Sequence, residues 1–381
     1  MRILKHLGRK KMIDYNYLEK LVNDKKDYIS YIEKKDYREI YDIPKYVMNL
    51  SEEFIERFQD KLDWEYISIN QKLSEGFIKK FQDKVSWLYI SRYQALSENF
   101  IEKFQEKVDW YSISYSQVLS EKFIEKFQKK VDWYSISSSQ VLSENFIEKH
   151  QDKVDWENIS IHQKLSESFI ENFQDKVNWE YISYYQVISG DFIEKFQDKV
   201  DWNYISYHQK LSEKFIEKFQ NKLDWRGISS QQVLSENFIE KHQDEVNWCN
   251  ISYHQVLSEK FIEKFQDKIN WRNISSCQKL PESFIEKFKN SLNLKEVFIR
   301  QSFSDDFMSK FLDERDYKEI VNLKKIKFCL KDIEKFNPCK EGVDRYLKVF
   351  KPEEVINWDE FITKYNKIED IFWLYDRLKI S

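Results

Sequence analysis

Glycine and proline are nearly missing from this chain, with 5 and 4 residues among 381. Tight hairpin turns draw on these two residues, so their scarcity points away from a hairpin-built sheet and toward helix-to-helix joints. Cysteine is scarce as well. Cys249, Cys277, Cys329 and Cys339 show no paired spacing of the kind that marks a disulfide framework or a zinc site, and they favour a reduced, intracellular, cytoplasmic setting. No apolar run approaches the ~20 residues a membrane helix needs, and no signal-peptide core precedes a small-residue cleavage site. Charge of one sign is also absent, since 62 basic and 66 acidic residues leave a net −4. The first twelve residues depart from this balance, with Arg2, Lys5, Arg9, Lys10 and Lys11 and no acid. They read as a solvated terminus, and setting them aside leaves −9 on the rest of the chain. A protein that grips phosphates should carry a basic stripe, so nucleic acid is a disfavoured partner.

What the chain does have is order. Tryptophan falls at residues 64, 87, 110, 133, 156, 179, 202, 225, 248 and 271, 23 apart each time. Strict self-similarity at this period marks an array built from one small unit. The first complete copy, Ser51 to Leu73, reads SEEFIERFQDKLDWEYISINQKL. Ser51 suits an N-cap, and Glu52 and Glu53 then sit at the positive end of a helix dipole. Phe54, Ile55, Phe58 and Leu62 follow as one apolar stripe at helical period, predicting a first helix, A, of about ten residues. Asp63 is the next cap candidate, and Trp64, Ile67 and Gln71 again share a helical face, predicting a two-turn helix B. Across the array the second cap is Asp, Asn (Asn178, Asn247, Asn270) or Ser86. These residues share little except the ability to cap, so the position demands a cap rather than a charge. A 23-residue unit buries too little to offset its own ordering entropy, so neighbours must stack, with the indoles as an interior spine.

The expected architecture is therefore an all-α solenoid of short two-helix repeats with helical caps: a cap with a decayed repeat over 1–50, the array over 51–311 and a C-terminal helical cap over 312–381. The last full copy is worn, with Pro281 for the cap serine and Leu294 for the tryptophan, and a twelfth helix A follows on Ser304, Phe307, Met308 and Phe311. Upstream, Tyr41 and Leu50 fall one period before Trp64 and Leu73. Worn terminal copies suit units that have only one neighbour. Trp358, Phe372, Trp373 and Tyr375 give the C-terminal segment more aromatic surface than a plain cap needs, which raises an effector-docking alternative.

The motif LSENFIEKFQDKVDWxxISxxQ resembles tandem-repeat proteins of giant DNA viruses of the mimivirus group, over residues 51–311. The Lys-, Asn-, Ile-, Tyr- and Phe-rich composition is similar to that of an AT-rich genome. The resemblance implies a repeat array, in an infected host cell if viral, and transfers no active site. In architecture the unit is similar to leucine-rich variant repeats, although its Phe/Trp core differs and curvature does not carry over.

Two polar positions never vary in the complete copies: a serine after the helix B isoleucine (Ser68, Ser91, Ser114 and onward) and a glutamine three residues later (Gln71, Gln94, Gln117 and onward). Buried polar groups need partners, so the glutamines are expected to satisfy backbone groups at the unit joints. The positions flanking that serine change from copy to copy. There Tyr89, Arg92, Tyr93, Tyr115, Tyr184, Tyr185, Tyr207, His208, Tyr253 and His254 are expected on the exposed side of the B helices. A variable, tyrosine-rich row on a constant scaffold resembles a protein-binding face, and drift at solvent positions is the alternative. The helix A surface, with Glu102, Glu125, Glu148 and Glu171 beside Lys103, Lys126, Lys149 and Asn172, is expected to pair its charges across neighbours.

Catalysis needs a unique constellation, and none stands out. There is no glycine-rich phosphate loop and no His-Glu-x-x-His run. His162, His208 and His254 stand two units apart, roughly 20 Å at ~8–10 Å per helix, too far to share a metal. His150 and His242 replace core phenylalanines, and the sequons at Asn158, Asn250 and Asn273 fall inside the packed segment. The reading is a non-enzymatic protein-interaction scaffold without cofactor or metal, with no membrane partner. A nucleic-acid-binding solenoid or a self-assembling structural protein is the alternative.

Overall fold

A computed structural model describes residues 50–364, except 58, 61, 326, 335, 337 and 353, together with Leu374. The expected repeat before residue 50, and Phe58, Phe372, Trp373 and Tyr375, lie outside the described residues. The fold is an all-α solenoid. The chain divides between Ile182 and Ser183 into two compact units, and each is a run of the same A–B pair.

In the first unit the copy from Ser97 to Leu119 shows why the sequence folds this way. Ser97 caps helix A, Glu98–Lys103, by accepting from the Phe100 N–H at 3.2 Å. Phe100, Ile101, Phe104 and Val108 turn inward and are buried. The backbone leaves the helix at Phe104 (φ −108°, ψ 28°) and closes a turn in which Val108 N–H donates to the Phe104 carbonyl. Helix A is thus six residues long rather than about ten, because the next cap must be reached within five residues of Phe104. Asp109 accepts from Ser112 N–H at 2.8 Å and starts helix B, Trp110–Ser116. Ser86, the weakest of the second caps, makes no such bond.

Copies are joined by polar staples. Gln117 donates to the carbonyls of Ser91 and Gln94, both at 2.8 Å, and accepts from the Leu96 N–H at 3.0 Å. Ser91 donates to the Trp87 carbonyl and accepts from the Asp109 N–H at 2.9 Å. Both invariant residues therefore discharge main-chain groups at the joint. The second unit repeats the scheme: Gln209 donates to the carbonyls of Ser183 and Gln186 and accepts from Ile188 N–H. B helices pack directly on the B helices of neighbouring copies in each unit.

The interior spine is aliphatic. The helix A and helix B isoleucines, such as Ile101 and Ile113, are 0 % exposed, whereas the repeat tryptophans are only half-buried. Each indole instead works as a clip at the rim. Trp110 donates from Nε1 to the Gln105 carbonyl at 2.9 Å and lies against Phe127 of the next copy, with ring centroids 5.0 Å apart. Lys130 of that copy covers its outer face at 5.8 Å, a position in which the indole keeps one edge in water.

The worn end follows the expected register. Pro281 makes no side-chain cap, Leu294–Arg300 takes the place of helix B, and Ser304 caps Asp305–Ser309 with Phe307 and Met308 buried. Helix Glu314–Lys325 then packs on Leu294–Arg300, where Lys295 pairs with Asp316 at 2.7 Å and Glu319 at 2.9 Å. These two carboxylates hold the Lys295 ammonium well above the usual lysine range. Two features depart from the sequence reading. A short antiparallel ribbon, β1 (Lys327–Phe328) with β2 (Ile356–Asn357), interrupts the helices. Trp358 is fully buried and donates to the Ile299 carbonyl at 2.8 Å, so it anchors this segment to the last repeat and offers no docking surface.

Candidate interaction surface

Helix B has seven residues, and its inward pair is fixed. The isoleucine and serine are buried in every described copy, which turns the residue after the tryptophan and the two after the serine toward the outer face, while the residue before the isoleucine is buried in copies such as those of Ser112, Ser135 and Asn158. Direct B-on-B packing sets these side chains in rows. In the first unit Tyr89 stacks on Tyr93 at 6.1 Å, and the Arg92 guanidinium lies 5.6 Å from the Tyr93 ring. A hydrogen bond to the Glu65 carboxylate, followed by that group's charge, pushes the Tyr89 hydroxyl up from its usual range. Tyr115 is exposed.

The second unit holds a denser group. Tyr184 lies against His208 at 3.9 Å, Tyr185 at 4.3 Å and Tyr204 at 5.1 Å between ring centroids. Tyr207 lies over Gly227, where an added Cβ would meet its ring carbons at 2.8 Å. Burial, then the neighbouring Asp224 carboxylate, pushes the Tyr207 hydroxyl up. Further along, Tyr253 and His254 meet at 4.6 Å, edge to face.

The ten candidates do not form one site. Arg92, Tyr93, Tyr115, Tyr184, Tyr185, His208 and His254 are exposed, but Tyr89, Tyr207 and Tyr253 are half-buried by neighbours in their own row. Sequence reasoning missed Tyr204, Arg226 and Arg272. Each sits in the two-residue slot after a repeat tryptophan, and the departure of arginine there from the earlier glutamates was the available signal. The sequon asparagines are engaged: Asn158 donates to Asp155, Asn250 to the Arg226 carbonyl and Asn273 to the Cys249 carbonyl.

Among the described residues no group of three or more His, Cys, Asp or Glu side chains is placed to hold a metal ion. No helix among them is long and apolar enough to cross a membrane. An open cleft of about 450 Å³ lies on the A side of the second unit, where Gly190 stands in place of the usual first-turn glutamate. It is lined by Asp191, Glu194, Lys210, Lys214, Phe215 and Lys218, and a Lys218–Glu194 ion pair occupies part of that lining. The chain matches no protein-family model, no curated protein and no solved structure.

Proposed function

We propose that the protein is a non-enzymatic scaffold that binds a protein partner through the outer rows of its B helices. The observation that carries this reading is the packing of Tyr184 among Tyr185, Tyr204 and His208 on an otherwise constant frame. Aromatic side chains held by one another lose little further freedom on binding and bring large apolar area with a polar tip, which suits interface anchors. Their exposure costs the fold without serving it, since the buried isoleucines and joint glutamines already hold the stack. Drift at solvent positions would not gather four rings on neighbouring copies.

The test is affinity capture from the native cell, comparing the wild-type chain with Tyr184→Ala/Tyr185→Ala/His208→Ala. These side chains are exposed, so the melting temperature should stay within a degree or two while a captured protein disappears. Identical capture profiles from both chains would remove the proposal.

A further inference from the structure

The rows of the B helices differ in charge between the two units. The residue directly after the repeat tryptophan is Glu65, Leu88, Tyr111, Tyr134, Glu157 and Glu180 through the first unit. Through the second it is Asn203, Arg226, Cys249 and Arg272, all exposed. No aspartate or glutamate occurs in the second unit's B helices Trp202–His208, Trp225–Gln231, Trp248–His254 and Trp271–Cys277. The carboxylates beside this row are the caps Asp201 and Asp224, turned back onto main-chain N–H groups at 2.9 Å to Asn203 and 2.8 Å to Arg226, and Glu296 of the worn copy, which pairs with Arg300 at 3.6 Å.

Elsewhere the chain pairs its cations. Lys218, Lys222, Lys241, Lys264 and Lys268 on the A side of the same unit all sit against a glutamate or aspartate of the preceding copy. Arg226 and Arg272 have no ion pair among the described residues. An exposed guanidinium without an ion pair, in a row whose few acids are already engaged, is complementary to a carboxylate.

From this we infer that the second unit's B-helix face binds an acidic, extended segment of a protein partner, with Arg226 and Arg272 holding carboxylates and the Tyr184–Tyr204–His208 group and Tyr207 packing against the chain beside Arg226. The inference rests on the docking face proposed above and names its ligand class. Arg226 and Arg272 stand two repeats apart, roughly 16–20 Å at 8–10 Å per packed helix. An extended peptide covers that span in about five or six residues. Nucleic acid presents a charge at every nucleotide and calls for closely spaced cations along the whole track. Two guanidiniums separated by Cys249 match discrete carboxylates instead. Tyr207 is fixed for this role, seated over Gly227 with its hydroxyl beside Asp224.

Fluorescence anisotropy on the full-length protein tests the assignment with four labelled probes. The first is a blocked twelve-residue peptide with two glutamate pairs six residues apart and Gly, Ser and Tyr between. The second and third carry Gln or Lys in place of Glu, and the fourth is a twelve-nucleotide oligothymidylate. The Glu peptide should bind at least tenfold more tightly than the other three and weaken as salt rises. Arg226→Ala/Arg272→Ala should cost it at least tenfold, Arg226→Glu/Arg272→Glu should abolish binding, and Glu157→Ala in the first unit should leave it unchanged. Circular dichroism of each variant keeps a folding defect distinct from a binding defect. Preference for the Gln or Lys peptide, still lost in Tyr184→Ala, would overturn the acidic ligand class but leave a peptide-binding face. Tighter oligothymidylate binding that needs the two arginines would overturn it in favour of nucleic acid. If no peptide binds in a manner that depends on Tyr184, the inference and the docking face fall together.

Discussion

Helices A and B of one 23-residue unit present two faces that repetition has treated in opposite ways. On the A side the same rung recurs: Lys80 with Glu56, Lys126 with Glu102, Lys149 with Glu125. A charge that meets its complement in the next copy is satisfied within the chain and has nothing left to offer. On the B side the outer residues share no rule from copy to copy, and tyrosines stand exposed at Tyr93, Tyr115 and Tyr185. Beneath that varied row lies the least variable part of the unit, the glutamine staple. The lesson is that constancy here marks self-satisfaction, and function is to be sought where the repeat stops repeating.

The contrast breaks most violently at the staple. Gln140 donates to the carbonyls of Ser114 and Gln117, at 2.9 and 2.7 Å, and accepts from the Leu119 N–H at 3.0 Å. Gln140→Ala would leave three buried main-chain groups unmet, at about 1–3 kcal/mol each with incomplete additivity, for a loss of about 3–5 kcal/mol. A urea titration followed by circular dichroism measures it. Tyr134→Ser, on the varied face above, should move the same midpoint by less than ~0.5 kcal/mol. Equal effects from the two substitutions would erase the distinction between staple and face.

This division was largely legible in the sequence. Serine and aspartate caps, the isoleucine stripes and the invariant glutamines each act through neighbours at a fixed spacing, so one copy, read ten times, announces them. Lateral position was harder to read. The tryptophans recur as strictly as the isoleucines, yet Trp110 stops at the rim because its Nε1 must reach the Gln105 carbonyl, and periodicity alone carries no information about depth. Trp358 failed for the converse reason. Its partner, the Ile299 carbonyl, lies 59 residues away and in no repeated frame. For the arginines of the second unit the sequence shows that they replace glutamate in their slot, but that the neighbouring Asp224 is engaged with a main-chain N–H is revealed only by packing.

A second way to sharpen the comparison lies at the inner seat of helix A, where eight described copies place Phe and two place His. The His150 ring lies 4.5 Å from Phe146 and 5.1 Å from Trp133, 6 % exposed, with Nε2 lacking a hydrogen-bond partner among the described residues. Burial, then Lys153, holds the imidazole below its usual range, against the opposing pull of Glu125, and Lys149 adds a small push in the same downward direction. With the folded-state value depressed, the unfolded chain takes up the proton first. The stability this site contributes is therefore full above about pH 6.5 and drains away as pH falls below it. His150→Phe should gain about 1 kcal/mol at pH 7 by removing the unmet nitrogen, and the gap over wild type should widen toward pH 5. Parallel melts of the two chains from pH 7.5 to 5 provide the check, and a constant gap would contradict the burial of a neutral ring.

The smallest expected effect concerns a rung of the A-side ladder in which like charges face each other. Lys79 stands where the other copies of the first unit place glutamate, and it faces Lys103 of the next copy. The facing Lys79 lowers the Lys103 ammonium from its usual range, in contrast to Glu125, whose carboxyl is held down by Lys149. Lys79→Glu should restore the rung and return Lys103 to the pairing its neighbours show. Because both side chains lie in solvent, the melting temperature should rise by roughly 1 °C or less in low salt. The gain should vanish in 1 M salt, where charges are screened within about 3 Å. A larger rise that survived high salt would mean that the A side contributes to stacking through something other than paired charge. The view of that face as internally satisfied and energetically minor would then need replacing.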